Sequence, residues 1–424
     1  MHINKEKSLN EWLSHIEKLH PSEIELGLRR ISKVAQDLNL IHFDAKVITV
    51  AGTNGKGTTC AFLEEILIQA GYKVGVYSSP HIQRYTERLR INRQEQPEKD
   101  HCLAFEQIEK TRKETSLSYF EYVTLGCLYL LRQAQCDFIL LEVGLGGRLD
   151  ATNMVESDIS VITTIGIDHV DWLGDDREKI GYEKAGVFRA GKPAVCGEFD
   201  PPQSLKDYAA ELSTNIRYAG SDFSFEMFQD QWLWTGDKKI SGLSPTLMPM
   251  QNASTALAVI EALNLNVDPQ TIKNALREAK LAGRLQNVDM SCEADVYLDV
   301  AHNPQSAQYL AGQLKLLKEQ KGPQCRVFAI AGMLEDKDIT GTFDQVNQQL
   351  DHCCLISLNC FRGADNKVLL KHYQASCNKL DRVNCFEDIE SAYKSIINNV
   401  NSSDIIIVFG SFYTVSDFLT LSQG

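Results

Sequence analysis

Three glycines, one lysine and two threonines are packed into Gly52-Thr-Asn-Gly-Lys-Gly-Thr58, a spacing suited to holding phosphate. On a turn between a strand and a helix, the backbone N–H groups of Thr53, Asn54, Gly55, Gly57 and Thr58 can approach phosphate oxygens, with the positive end of the helix dipole behind them. Lys56 adds a point charge. The general pattern G-x-x-x-x-G-K-[ST] is not met, because Val50 stands where the first glycine belongs and Gly57 separates Lys56 from Thr58. A purely structural glycine turn is the alternative. The apolar run Lys46 to Ala51 before the loop and the glycine density favour phosphate.

Phosphoryl transfer builds charge on phosphate oxygens, and a hard cation such as Mg²⁺ held by oxygen ligands neutralises it. Ser79 and Glu142 each stand at the end of an apolar strand candidate, Lys73 to Ser78 and Phe138 to Val143, and suit one such ion. Alone, Glu142 also reads as a strand-end carboxylate at a turn. His169, beyond the strand candidate Ile159 to Ile165, suits a second ion, or is a histidine satisfied by a neighbour. Lys184 cannot ligate a cation as an ammonium, and on its residue type alone reads as a solvated helix charge.

These residues must be carried by an α/β framework. Four strand candidates in the first half put polar residues at their C-terminal ends, where open α/β sheets form ligand crevices. From Val296 the alternation restarts, through strands ending at Val300, Ala331 and Phe409, with helix Pro304 to Glu319 among them. The expectation is a mostly parallel N-terminal ATPase domain of phosphate-loop type, residues 1–287, and a smaller Rossmann-like C-terminal domain, residues 288–424. The 424 residues exceed what one core usually organises. A net charge of −13 argues against a nucleic-acid partner on electrostatic grounds, so any phosphate is held locally. Twelve cysteines without a C-x-x-C pair fit reduced core thiols. No apolar stretch reaches transmembrane length and no leader-like start is present, so no membrane partner and a cytoplasmic location are expected.

Val50-Ala-Gly-Thr-Asn-Gly-Lys-Gly-Thr58 closely resembles the phosphate loop of folylpolyglutamate synthases, relatives of the Mur ligases. The resemblance continues in Tyr77-Ser-Ser-Pro-His81 with Tyr85-x-Glu87-Arg88, in Leu141-Glu-Val-Gly-Leu-Gly-Gly-Arg-Leu-Asp-Ala-Thr-Asn153, and in Asp168-His169 with Glu183-Lys-Ala-Gly186. It resumes in Gly283-Arg284, Asp299-Val-Ala-His-Asn-Pro304 and Gly410-Ser-Phe-Tyr413, spanning nearly the whole chain.

What the resemblance implies is an ATP-dependent ligase that joins L-glutamate to dihydropteroate and to reduced folates through an acyl phosphate. It puts Ser79, Glu142, His169 and a carbamylated Lys184 on one or two Mg²⁺ ions. ATP contacts would come from Thr53 to Thr58 with Asn252, Arg284 and Asp299, so that the nucleotide lies between the domains. Catalytic roles fall to Lys56, Lys184 and His302, and Ser411 matches a further motif position. The pteridine would lie near Lys18, Leu19, His20 and Pro21, near Ser118, Tyr119, Phe120 and Glu121, and beside Leu149, Asp150 and Ala151. From periodicity alone Tyr119 and Phe120 are core residues opening a helix. A monomer is the family expectation. The alternatives are polyglutamylation only, a Mur-type ligase for a muramoyl nucleotide, and a phosphate-loop NTPase without ligase chemistry.

Overall fold

The computed structural model describes residues 7–20, 25–377 and 380–422. The chain divides into two compact units, Met1–Lys280 and Leu281–Gly424.

The first unit is built on an eight-stranded sheet. Its strands are β1 (Lys46–Ala51), β2 (Val74–Tyr77), β3 (Leu89–Ile91), β4 (Gln94–Glu95), β5 (Phe138–Glu142), β6 (Ile159–Ile162), β7 (Pro193–Cys196) and β8 (Asn215–Tyr218). They lie in the order β4-β3-β2-β5-β1-β6-β7-β8. From β2 to β8 all neighbours are parallel, while β3 and β4 extend one edge antiparallel. Central strands such as Phe138-Ile-Leu-Leu-Glu142 are buried along their full length, as continuous apolar runs must be in a sheet covered on both faces.

Helices α1 (Leu9–Ile16), α2 (Arg29–Asp37), α3 (Lys56–Gln69), α4 (Glu98–Arg112) and α5 (Tyr119–Ala134) precede α6 (Val170–Leu173), α7 (Arg177–Ala185), α8 (Gln203–Glu211), α9 (Met250–Ala262) and α10 (Pro269–Glu278). Residues of α1, α2, α4 and α5 form one core with Val47, Tyr77, Ile139 and Leu141 of the sheet. Those of α7 and α8 form another with Ala51, Val143 and Ile162. Helix α3 packs against α9 and α10. A small antiparallel sheet, β9 (Ser224–Phe228), β10 (Gln231–Thr235) and β11 (Lys239–Leu243), buries Trp232 and Trp234 from alternate positions of β10.

In the second unit six strands, β12 (Gln286–Val288), β13 (Asp295–Asp299), β14 (Val327–Ala331), β15 (His352–Ile356), β16 (Val383–Phe386) and β17 (Ile405–Phe409), lie in the order β12-β13-β17-β14-β15-β16. All pairs but β12–β13 are parallel, the Rossmann-like arrangement expected from the alternation. Helix α11 (Pro304–Lys321) starts on an Asn303 cap with proline in its first turn. Gln286 pairs with Leu298, so the segment after Leu281 goes with this sheet. The division therefore precedes the boundary after residue 287 read from the sequence. All twelve cysteines are free, but Cys385 is exposed and Cys102, Cys292, Cys360 and Cys377 are half-buried, which corrects the picture of uniformly core thiols. No described helix is long and apolar enough to cross a membrane.

Candidate active site

Register places the expected site residues along one sheet edge. Tyr77 pairs with Leu141, Val50 with Glu142, and Ala51 with Ile162, all in parallel neighbours. Ser79, Glu142, Gly52 and Thr163 consequently line up at adjacent C-terminal strand ends, the edge at which α/β sheets bind ligands.

The phosphate loop is fastened from two sides. The Thr53 amide donates to the Thr164 carbonyl (2.8 Å) and the Asn54 amide to Thr164 Oγ1 (3.1 Å), while Thr163 Oγ1 donates to the Asn54 carbonyl (2.6 Å). Thr53 Oγ1 also donates to the Gly166 carbonyl at 2.9 Å, tying the loop to the chain that leads to His169. Because the amides of Thr53 and Asn54 are spent on Thr164, just beyond β6, the donors left for an anion are those of Gly55, Lys56, Gly57 and Thr58, which open α3 and have no intrahelical acceptor. Two glycines are required by close approach. A Cβ on Gly52 would lie 1.9 Å from Thr163 Oγ1, and one on Gly55, at φ +87°, would lie 2.5 Å from Asn252 Oδ1. Asn252, buried in α9, donates to Thr58 Oγ1 at 2.5 Å. Lys56 Nζ folds back to the carbonyls of Gly52 (3.0 Å) and Thr53 (3.2 Å), which poises its charge over the loop.

A cavity beside the loop is lined by Lys56, Val143 to Gly146, Asp168, His169, Leu173 and Lys184. Lys184 is 3 % exposed, and burial, then the charge of Lys56, push its ammonium down to about 7 against the pull of Asp168 and Asp150. A buried lysine that readily loses its proton is a nucleophile toward CO₂, so the carbamate reading gains a physical basis over the solvated helix charge. His169 is exposed at the start of α6 in the left-handed region (φ +53°), with its amide on Asp168 Oδ1 at 2.8 Å. Glu142 is 7 % exposed. Ser79 Oγ is buried and without a hydrogen-bond partner among the described residues, an orphan that a cation would satisfy. That orphan, beside a buried carboxylate, fits a metal. The described residues contain no ready-made cluster of three His, Cys, Asp or Glu side chains.

The three segments assigned to the pteridine converge. Ser118 caps α5 in a reciprocal box with Glu121, whose carboxylate accepts the Ser118 amide at 2.8 Å and Arg30 Nη2 at 3.2 Å. His20 Nδ1 lies 2.7 Å from Ser116 Oγ and its Nε2 2.6 Å from Glu25. The Gly27 amide donates to the Leu149 carbonyl at 3.3 Å. Phe120 is half-buried, 6.3 Å from the Tyr77 ring, and so close to Gly144 that a Cβ there would lie 2.5 Å from its Cζ. Asp150 is buried as the cap of the turn Ala151–Met154, accepting from Leu145 N and Thr152 N, and burial raises its pKa. Tyr119 and Leu19 pack on the same core, and Lys18 is exposed. Pro21 lies outside the described residues.

In the second unit, Asp299 ends β13 with its carboxylate accepting the amides of Leu285 (2.9 Å) and Ala301 (2.8 Å). Burial raises its pKa while Arg284 opposes. Arg284 lies over the Phe412 ring at 5.7 Å. His302 Nδ1 donates to the Val300 carbonyl at 2.8 Å, which fixes the orientation of the ring. Ser411 Oγ accepts the Thr414 amide at 3.0 Å, a helix-capping contact. These residues gather where β13 and β17 end side by side.

The sequence reading missed Thr163 and Thr164, which look like ordinary strand residues in Val-Ile-Thr-Thr-Ile, and Arg30, whose partner is 91 positions away. Asp168 was legible only as half of the Asp-His pair.

A phosphate cradle, a candidate cation site and a separate Rossmann-like unit define a Mur-ligase architecture. Residues 50–260 match the Mur ligase middle domain and residues 283–412 match the Mur ligase, glutamate ligase domain. The dihydrofolate synthase/folylpolyglutamate synthase of Escherichia coli K12 is 45% identical over 96% of this chain and 94% of its own. The structure of E. coli FolC in complex with DHPP and ADP superposes with a TM-score of 0.92 at 44% identity, covering 98% of this chain and 97% of that one. The bifunctional folylpolyglutamate synthase/dihydrofolate synthase of Yersinia pestis, complexed with AMPPNP and Mn ion, gives 0.91 at 46% identity over 99% and 98%. This chain belongs to the dihydrofolate synthase/folylpolyglutamate synthase family.

Proposed function

We propose that the chain joins L-glutamate to dihydropteroate and to reduced folates, using ATP to activate the acceptor carboxylate. The observation that carries this reading is the alignment, at the C-terminal ends of neighbouring parallel strands, of the Gly55 to Thr58 amides with Ser79 and Glu142, beside Gly144 and the Phe120 ring that packs on it. Phosphate and a flat acceptor are thereby served by neighbouring elements. The amides and Lys56 hold the nucleotide phosphates, with Asn252 shaping the loop through Gly55 and Thr58. Ser79 and Glu142 would hold one Mg²⁺, and His169 with a carbamylated Lys184 a second; such an ion would screen charge on the phosphate oxygens. Carbamylation balances simply: the neutral Lys184 amine attacks CO₂, and one proton leaves.

The acceptor carboxylate displaces ADP from the γ-phosphorus, giving an acyl phosphate; the glutamate amine then attacks the acyl carbon and phosphate departs. No covalent bond to the protein is needed, so catalysis rests on positioning and charge neutralisation. His302, its ring held by the Val300 carbonyl, is assigned to orienting glutamate. The rest of the assignment is a pteridine site formed by Lys18 to Pro21, Ser118 to Glu121 and Leu149 to Ala151, a monomeric enzyme, and a cytoplasmic location, which twelve unpaired cysteines support.

The test is to supply Mg·ATP and glutamate with dihydropteroate, tetrahydrofolate or a muramoyl nucleotide in turn, following ADP and product mass. Glutamate addition to both pterin acceptors supports the reading; product from the muramoyl acceptor alone, or ADP without any acceptor, overturns it.

A further inference from the structure

Arg88 is 7 % exposed, yet among the described residues no carboxylate pairs with it. Its neighbours are unlike it: Arg84 has Glu95 at 2.6 Å and Arg90 has Glu64 at 3.1 Å. The adjacent Glu87 is committed elsewhere, accepting the amides of Ile82 (2.7 Å), Gln83 (3.1 Å) and Arg84 (2.8 Å). The Arg88 side chain makes one hydrogen bond to protein, from Nε to His81 Nδ1 at 2.8 Å, and its guanidinium carbon stands 5.9 Å from the centre of the Tyr119 ring. The two terminal nitrogens have no protein acceptor among the described residues.

A desolvated guanidinium without an anion is costly, and structures retain one where an anion arrives from outside. Its position says which. The Arg88 carbonyl accepts the Ser78 amide at 2.9 Å, next to Ser79 and the phosphate edge, while the side chain reaches the aromatic residue that opens α5. A ligand that is aryl at one end and anionic at the other would bridge these two points. His81 fixes Nε, which leaves the planar Nη pair for a two-point contact with a carboxylate.

We propose that Arg88 is the receptor for the acceptor carboxylate, the group that becomes phosphorylated. This rests on the ligase reading above. Holding the carboxylate there offsets its repulsion from the nucleotide phosphates and aligns it for attack.

The experiment compares equilibrium binding of pteroate with that of its neutral carboxamide, in the presence of Mg·ADP, for the intact enzyme, Arg88→Gln and Arg88→Lys. The intact enzyme should prefer the carboxylate by roughly ten- to hundredfold, the range for charge-assisted hydrogen bonds. Arg88→Gln should abolish that preference while carboxamide affinity and the KM for ATP stay unchanged, and Arg88→Lys should restore part of it. A glutamine variant that keeps the preference, or weakens both ligands equally, overturns the proposal. So does a selective rise in the KM for ATP, which would make the nucleotide phosphate the anion. Turnover of dihydropteroate by the intact enzyme is the control: without it the ligase reading itself fails, independently of Arg88.

Discussion

Replacing Lys184 by alanine tests the chemistry of the cavity. A lysine in water, at its ordinary pKa of 10.5, is neutral in under about one molecule in a thousand near pH 7.4. Burial and Lys56 bring Lys184 down to about 7, so more than about half of it is neutral at that pH. The reactive amine is thus enriched roughly a thousandfold, enough for carbamate to form from dissolved CO₂ without a catalyst. With isotopically labelled bicarbonate and Mg²⁺, the intact protein should show a carbamate carbon resonance that Lys184→Ala lacks. The signal should fade as pH falls below about 7, where the amine is protonated. Activity of Lys184→Ala should drop by at least about a hundredfold and recover in part with acetate, a carboxylate small enough to enter the vacated space. An intact protein without the resonance, or an alanine variant at full activity, refutes the reasoning.

His101 is fully buried, both ring nitrogens have no hydrogen-bond partner among the described residues, and burial lowers its pKa to about 4. Its folded pKa lies below the unfolded 6.5, so stability is complete above about pH 6.5 and is lost as pH falls towards 4, by roughly 2 kcal/mol between pH ~7.5 and ~5. Urea titrations at both pH values, with Trp12 fluorescence reporting on the same core, should show that loss shrinking in His101→Phe; an unchanged loss would assign it to other groups. Gly55→Ala forces a left-handed residue costing about 1–2 kcal/mol and drives a Cβ into Asn252, so the melting temperature should fall and ADP binding weaken. Calorimetry that finds both unchanged would remove the strain argument. Ser79→Ala should raise the Mg²⁺ concentration needed for half-maximal rate by about tenfold with little loss of stability, because its Oγ makes no protein hydrogen bond; an unaltered Mg²⁺ dependence would take Ser79 off the metal.

The parts of the molecule readable in advance are those under strong local constraint. β1 and β17 begin and end where their apolar runs do, because a strand buried on both faces tolerates nothing else. Ser79, Glu142 and Gly52 could be placed together because parallel strands in register must end together. The edge pair β3 and β4, Leu-Arg-Ile followed by Gln-Glu, has too little apolar pattern to announce itself. The alternating Gln-Trp-Leu-Trp-Thr of β10 did carry a period-two signal and went unread. Contacts such as Arg30 with Glu121, or Asn252 with Thr58 across 194 positions, exist only once the helices are packed. The boundary near Leu281 was displaced because Gly283-Arg284 resembles a hinge, whereas the following residues pair into the second sheet.

The central claim, activation of the acceptor carboxylate as an acyl phosphate, is tested most directly by labelling that carboxylate of dihydropteroate with heavy oxygen and following the label through one turnover with glutamate and Mg·ATP. The account predicts released phosphate that carries an oxygen from the acceptor, together with a dihydrofolate amide that has lost it. Unlabelled phosphate alongside glutamylated product would contradict it.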